Sequence, residues 1–262
     1  MHKMIEGINV KTFGEVTNQA IVFIHGFPFD QTLWDDVINE FKDEYYCVSY
    51  DIRGFGKSEL NTAQFTMESY TQDLEKIILS LKLDKPIICG FSMGGYIALR
   101  ANERENYKAL ILANTTTNSD DDKAKLKRAA GISNIDTKGL EPFLDAFLSV
   151  AFSEDFIKKE PLKINQIKEN IMNFNPIGIK AALLAMISRT DTSQSLEEIE
   201  IPVLLITSEN DKVIPKETMI QMASKIKNST IVSLSNSGHM SMIENPDGFK
   251  NAVRSFLQTN ND

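Results

Sequence analysis

The segment Gly90-Phe91-Ser92-Met93-Gly94-Gly95 restricts how this chain can fold more than any other part of the sequence. It follows the apolar run Pro86-Ile87-Ile88-Cys89, which predicts a buried strand that ends near the first glycine. A G-x-S-x-G pattern between a strand and a helix forms a sharp turn that holds the serine hydroxyl away from the sheet. The simpler interpretation is a glycine-rich turn whose serine only caps the helix. The strand-to-helix context favours Ser92 as a nucleophile.

A serine nucleophile needs a neighbouring base, and the chain contains three histidines, His2, His25 and His239. His2 lies at the N-terminus, where we expect disorder. His25 ends the strand-like run 20–24 and is interpreted as a hydrogen-bonding residue beside the site. His239 follows the strand-like run 229–234 and a turn-forming segment, so it lies on a loop that can reach the serine. We therefore predict His239 as the base.

The third group of such a site is a carboxylate that orients the imidazole. The strand-like run 203–207 leads into a loop that contains Glu209 and Asp211 and ends at Pro215. Carboxylates on loops of this kind commonly cap helices or face solvent. Asp211 lies further beyond the strand than its competitor Glu209, so we predict Asp211 as the acid. The chain order is then serine, aspartate, histidine.

Acyl transfer also needs backbone N–H groups that stabilise the developing oxyanion, each worth roughly 3–4 kcal/mol. One donor is predicted to be Met93, the residue after the nucleophile. The second is predicted to be Phe27 in the segment His25-Gly26-Phe27-Pro28, which follows a strand. Pro28 has no N–H and cannot donate.

These motifs, together with Asp51-Ile52-Arg53-Gly54-Phe55-Gly56-Lys57-Ser58 and Gly238-His239, resemble the α/β-hydrolase superfamily over nearly the whole chain. Within it, the Ser-Met-Gly-Gly elbow is similar to small bacterial carboxylesterases and enol-lactonase-like enzymes. The resemblance implies a serine hydrolase that cleaves a small carboxylic ester or lactone through an acyl-enzyme, with no cofactor. His-Gly-Phe-Pro is also similar to epoxide hydrolases and haloalkane dehalogenases, but those carry aspartate where this chain has Ser92.

Three alternatives use the same fold. Perhydrolysis, as in non-metal haloperoxidases, replaces water by peroxide on the same three residues. Carbon–carbon bond hydrolysis would need groups that bind substrate carboxylates, and Arg189 is the one such candidate in the sequence. A ligand receptor or signalling regulator with little turnover belongs to a different class, and fold alone does not separate it from an enzyme.

The composition of the chain disfavours several classes of partner and location. The 262 residues carry a formal net charge of −8, which disfavours nucleic acid and anionic membranes as partners. No apolar run approaches the roughly 18 residues needed to span a bilayer, and no signal peptide is recognised. Cys47 and Cys89 lie in separate predicted strands, so a disulfide is not expected and a cytoplasmic location is favoured. No cluster has the spacing of a metal site.

Strand-like and helix-like segments alternate along most of the chain, which predicts an α/β fold. In the α/β-hydrolase form this is a mostly parallel eight-stranded sheet with helices on both faces. Its first two strands are predicted as a hairpin over 4–8 and 10–14.

The alternation stops between residues 115 and 188, where helical apolar patterns follow one another. We predict a helical cap there, inserted into a core formed by residues 1–114 and 189–262. Some of its apolar side chains are predicted to line the substrate pocket, namely Phe143, Phe147, Phe152, Phe174 and Met186.

Overall fold

The computed structural model of the protein describes residues 1–60, 65–105 and 107–260. One sheet has the strand order β1-β2-β4-β3-β5-β6-β7-β8. Its strands are β1 (His2–Ile5), β2 (Ile8–Phe13), β3 (Ala20–Ile24), β4 (Tyr46–Tyr50), β5 (Ile87–Phe91), β6 (Ala109–Ala113), β7 (Val203–Ser208) and β8 (Ser229–Leu234). Strand β2 pairs antiparallel with β1 and β4, and the other neighbours are parallel. The predicted fold class is confirmed.

The α-helices in the described part of the chain are α1 (Asp35–Phe41), α2 (Met67–Leu81), α3 (Met93–Asn102), α4 (Asp122–Lys138), α5 (Leu140–Ala151), α6 (Glu154–Lys159), α7 (Pro161–Met172), α8 (Pro176–Ser188), α9 (Lys216–Lys225), α10 (Ser241–Glu244) and α11 (Pro246–Thr259). Short 3₁₀ segments lie at Gln31–Trp34 and Ser193–Glu198.

The central strands are buried at every residue from β3 to β7. Strands covered on both faces read as continuous apolar runs, which is why the sequence pattern locates them. Because parallel strands end at one edge of the sheet, the segments after β3, β5, β6, β7 and β8 meet there. This edge carries the residues that were predicted to do chemistry.

The N-terminal hairpin differs from its prediction. Its turn is Glu6-Gly7, where both residues have positive φ (47° and 82°), and the paired strands begin and end earlier than expected. A two-residue turn of that kind matches the twist of the flanking strands. The prediction that His2 is disordered was wrong. His2 lies in β1, where it pairs with Lys11 of β2, and its Nδ1 lies 3.2 Å from Asn9 Oδ1.

Helices α4 to α8 lie between β6 and β7, within the segment that was predicted to form the cap. The apolar patterns that predicted helices in this segment do not extend over α4 or α6. Helix α4 buries only Gly131 and Ile135 and is rich in charged residues, so it carries almost no amphipathic pattern. It packs against α5 and α8, and a Cβ at Gly131 would lie 3.0 Å from the ring of Phe143.

Cys47 and Cys89 are both buried and unpaired. They lie in β4 and β5, and β3 separates those strands. Burial raises the pKa of the Cys47 thiol to about 12 and raises that of Cys89 as well.

No single helix within residues 1–60, 65–105 and 107–260 has the length and apolar character needed to cross a bilayer. Helices α7 and α8 reach that composition only when taken together, and they are bent by 96° relative to each other.

Candidate active site

Ser92 lies between β5 and α3 in a strained turn, with φ 51° and ψ −114°. The glycines two residues before and two residues after it have no room for a side chain. A Cβ at Gly90 would lie 2.5 Å from the carbonyl oxygen of Gly94, and a Cβ at Gly94 would lie 2.2 Å from that of Ile24. The Ser92 hydroxyl makes no capping hydrogen bond to α3, which argues against the simpler interpretation of the turn.

His239 lies on the loop between β8 and α10, and it is 1% exposed. Its Nε2 is 2.9 Å from Ser92 Oγ, and its Nδ1 is 2.8 Å from Asp211 Oδ2. Because an ionised carboxylate only accepts, Nδ1 carries the hydrogen and Nε2 is free to accept from the serine. The imidazole also packs against Phe91, with ring centroids 4.9 Å apart.

Asp211 is held by hydrogen bonds on both oxygens. Its Oδ1 accepts from the backbone N–H groups of Val213 and Ile214, at 2.7 and 2.9 Å. Its Oδ2 accepts from His239 and from the side-chain amide of Asn114, the latter at 2.9 Å. Burial opposes ionisation, but the neighbouring imidazole and these donors outweigh it and hold the pKa of the carboxyl below its ordinary value.

Glu209 and His25, the alternatives for the acid and the base, do not take part in these hydrogen bonds. Glu209 is exposed, and its backbone N–H donates to Leu234. His25 is fully buried, with Nδ1 2.9 Å from the carbonyl of Gly26 and Nε2 accepting from the N–H of Ile52 at 2.9 Å. Burial lowers the pKa of His25, so the ring is neutral and braces the loop after β3. Sequence reasoning gave no reason to single out Asn114.

The two predicted oxyanion donors lie on adjoining segments. Met93 is the first residue of α3, where helix N–H groups lack partners within the helix. Phe27 lies on the loop after β3, the strand beside β5. This loop approaches the elbow closely, since a Cβ at Gly26 would lie 2.6 Å from the ring of Phe91.

Three of the five predicted substrate-binding residues join aromatic rings beside this loop. The ring of Phe27 lies 6.1 Å from Phe143 and 5.7 Å from Phe147, both on α5. Phe55 lies 6.2 Å from Phe27 and 6.4 Å from Phe174. We call these five residues the aromatic set. Phe55 was not predicted to line the site, although it belongs to a strand-end segment that the sequence did single out.

The other two predicted substrate-binding residues do not join the aromatic set. Phe152 follows α5 and stacks on Phe156, with ring centroids 5.4 Å apart and planes at 14°. Met186 is buried in α8 and is 2% exposed.

A cavity of about 610 Å³ lies between α7 and the core segment that includes Phe29. Its lining does not include Ser92, Asp211 or His239, and it adjoins the aromatic set through Phe29, whose ring is 6.2 Å from Phe147. It is lined by Phe29, Asp30, Thr32, Leu33, Asp35, Asp36, Lys163, Gln166, Ile167, Asn170, Ile171, Met242, Ile243 and Pro246.

Arg189 follows α8 at the end of the inserted helices, and its charge is engaged within the protein. Its Nη2 donates to Asp120 Oδ1 at 2.9 Å, and its guanidinium lies 4.0 Å from the ring centroid of Tyr96 on α3. Asp120 also binds Arg128 on α4. The start and end of the insertion are therefore tied together, next to the helix that begins after the nucleophile.

Metal ligands form no cluster in the described ranges, where no group of three or more His, Cys, Asp or Glu side chains could hold an ion.

A 3-oxoadipate enol-lactonase of Acinetobacter baylyi is 26% identical over 255 residues, which cover 96% of this chain and 93% of the relative. A putative non-heme chloroperoxidase of Synechocystis is also 26% identical, over 92% of this chain and 91% of its own length. Among solved structures, a thermophilic esterase from Thermogutta terrifontis superposes with a TM-score of 0.91 at 28% identity, covering 97% of this chain and 93% of that one. The family model for the alpha/beta hydrolase fold matches residues 19–246. The chain therefore belongs to the α/β-hydrolase family.

Proposed function

We propose that the protein is a serine hydrolase that cleaves a small carboxylic ester or lactone through an acyl-enzyme intermediate. One observation carries this proposal. Ser92, His239 and Asp211 form a continuous hydrogen-bonded chain, with 2.9 Å between hydroxyl and imidazole and 2.8 Å between imidazole and carboxylate. Nucleophile, base and orienting acid in that geometry suit acyl transfer.

In acylation, Ser92 Oγ attacks the carbonyl carbon while His239 Nε2 takes the hydroxyl proton. The carbonyl electron pair moves onto oxygen, where the N–H groups of Phe27 and Met93 are proposed to stabilise the charge. The tetrahedral intermediate then collapses, the bond to the leaving oxygen breaks, and Nε2–H protonates the departing alcohol. In a lactone this alcohol stays attached to the acyl group.

In deacylation, a water molecule gives its proton to His239 Nε2 and attacks the acyl carbon. Collapse of the second tetrahedral intermediate breaks the bond to Ser92 Oγ, which recovers its proton from the imidazolium, and the carboxylic acid leaves. Asp211 keeps the Nδ1–H oriented throughout and stabilises the imidazolium. No cofactor enters these steps.

The aromatic set beside the proposed oxyanion donors supports an apolar acyl or alcohol group of small to medium size. The enol-lactonase and esterase names of the two relatives support the ester and lactone class. The partner of the protein is then a small molecule. A cytoplasmic location stays a prediction, and the two unpaired thiols are in keeping with a reducing compartment.

The test is hydrolysis of p-nitrophenyl esters and of small lactones by purified wild type and Ser92→Ala. We expect wild-type turnover and labelling by a fluorophosphonate probe, with both lost in Ser92→Ala. Persistent labelling of the variant would remove Ser92 as the nucleophile. Labelling of the wild type without turnover on any ester or lactone would instead favour the receptor class.

Perhydrolysis is kept as a second candidate, because one relative is named a putative non-heme chloroperoxidase. Adding peroxide to the same assay with a short carboxylic acid measures peracid formation. Carbon–carbon bond hydrolysis has less support, since Asp120 and Tyr96 already engage the guanidinium of Arg189.

A further inference from the structure

Asn114 occupies the turn directly after β6, at the edge of the sheet where the candidate site lies. It is fully buried, and its backbone lies in the left-handed region at φ 45°. Its N–H donates to the carbonyl of Ile206 at 2.9 Å, so the residue is fixed against β7. Asparagine tolerates left-handed backbone better than most residues, which fits its presence here.

The side chain of Asn114 joins the end of β6 to two other segments, namely the end of β7 with its following loop and the start of α10. Its Nδ2 donates to Asp211 Oδ2 at 2.9 Å and to Ser208 Oγ at 3.1 Å. Its Oδ1 accepts from Ser241 Oγ at 2.7 Å. The amide cannot be turned over without loss, because Oδ1 would then face the carboxylate with no hydrogen between two acceptors.

We propose that Asn114 is a positioning residue for the reaction, holding Asp211 Oδ2 toward His239 and tying the segment after His239 to the same amide through Ser241. This inference rests on the proposed function. The side-chain hydrogen bonds of Asn114 go to Ser208, Asp211 and Ser241. Asn114 acts by restricting the acid and the base to the orientation in which they meet.

Asn114 and His239 donate to the same oxygen of Asp211, so the amide acts on the orientation of the carboxylate as well as on packing. Asp211 Oδ2 takes both the Nδ1–H of His239 and the amide N–H of Asn114. With two donors on one oxygen and two backbone donors on the other, the carboxylate plane has little freedom. Without the amide, the oxygen can rotate out of line with the imidazole, and the segment after His239 loses its link through Ser241.

The left-handed backbone at Asn114 makes glycine the least disruptive replacement. Asn114→Gly removes the amide and keeps a residue that adopts positive φ freely. Asn236 provides a matched control, because it is an exposed asparagine at φ 53° in the loop before His239. Asn236→Gly therefore makes the same chemical change at a comparable backbone conformation without touching the carboxylate.

The experiment is a double-mutant cycle on ester hydrolysis with wild type, Asn114→Gly, Asp211→Ala and the double variant. Hydrogen bonds to charged groups predict a loss in kcat of roughly 10- to 100-fold for Asn114→Gly, with KM changed by less than about threefold. In the Asp211→Ala background the same change should lower kcat by less than about threefold. Asn236→Gly should stay within about twofold of wild type.

A merely structural role gives a different result, because Asn114→Gly would then lower kcat by the same factor in both backgrounds. That outcome, or wild-type kcat in Asn114→Gly, overturns the proposal. Should Asn114→Gly fail to fold, Asn114→Ser replaces the amide by a shorter polar side chain that adds no charge beside Asp211, and the same cycle applies.

Failure of the proposed function is seen separately, as absence of wild-type turnover. The same four proteins are then compared by the rate at which a fluorophosphonate labels Ser92. This labelling reaction needs the base but no natural substrate. Equal labelling rates in wild type and Asn114→Gly would overturn the role of Asn114.

Discussion

The backbone N–H of His239 donates a hydrogen bond to the carbonyl of Ala151, 3.0 Å away. Ala151 is the last residue of α5, where helix carbonyls have no partner within the helix. The loop that carries the candidate base is therefore fixed to the inserted helices as well as to the sheet. Changes at this contact should alter the chemistry as well as the substrate pocket.

Gly238→Ala should disturb this contact. A Cβ at position 238 would lie 2.7 Å from the backbone nitrogen of Ser153 and 3.0 Å from Glu244 Oε1, so the loop must shift. We expect kcat to fall on the order of tenfold, because small displacements of catalytic groups are costly. The measurement is ester turnover, with the exposed Ser235→Ala as control. Wild-type kcat in Gly238→Ala would mean that the loop absorbs the methyl group.

Asp211→Asn should preserve the fold and lower kcat by about 10⁴-fold, because an amide stabilises the wrong imidazole tautomer. Glu209→Gln is the matched control and should stay within about twofold, since Glu209 is exposed. Steady-state kinetics and circular dichroism of both variants provide the measurement. A larger loss at Glu209 would reverse the assignment of the acid.

Asp211 should also contribute a pH-dependent stability. Its folded pKa lies below the ordinary value of 3.8, so its contribution is present above 3.8 and is lost as the pH falls through the lower folded pKa. Urea unfolding of wild type and Asp211→Asn should show a difference in unfolding free energy at neutral pH that shrinks on acidification below 3.8. A difference that does not change with pH would show that the carboxyl keeps its ordinary pKa.

His25 should make the protein less stable as the pH falls below 6.5. Burial lowers the folded pKa of His25, so below 6.5 the unfolded chain binds a proton that the folded chain does not. His25→Gln keeps an acceptor for the N–H of Ile52 and removes the titrating group. Its unfolding free energy should therefore fall less than that of wild type between about pH 7 and about pH 5. Parallel curves would contradict a lowered pKa.

Phe147→Ala should shift the acyl-chain preference toward longer esters, because it enlarges the space beside Phe27. Each buried methylene is worth about 0.8 kcal/mol, or about fourfold in kcat/KM. A p-nitrophenyl ester series from acetate to palmitate measures the optimum. Phe156→Ala is the control, since Phe156 stacks on Phe152 outside the aromatic set. An identical profile in both variants would mean that Phe147 does not line the acyl pocket.

The fold could be predicted because the strands are recognisable from short stretches of the sequence. Strands β3 to β7 are buried on both faces, so each reads as a mainly apolar run. Parallel strands bring their ends to one edge whatever the details of packing. For that reason, Ser92 after β5, Asp211 after β7 and His239 after β8 could be placed together from sequence.

The inserted helices were harder to predict, because the position of each helix depends on how it packs against the other inserted helices. Helix α4 presents few apolar residues, and it is positioned by close packing at Gly131 and by the ion pairs of Asp120. Nothing in its own sequence shows that arrangement. The same is true of Phe152, whose ring packs on Phe156, whereas Phe143 and Phe147 on α5 pack on Phe27.

By itself the sequence determined the family, the strand-to-helix elbow and the three residues that meet around it, because these depend on local patterns and on chain order. Only the tertiary structure decided which side chains surround them. Asn114 contacts Asp211 across 97 residues, and His239 contacts Ser92 across 147. Contacts of that range depend on how two distant turns orient at the sheet edge, and hydrophobic periodicity carries no information about a single hydrogen bond.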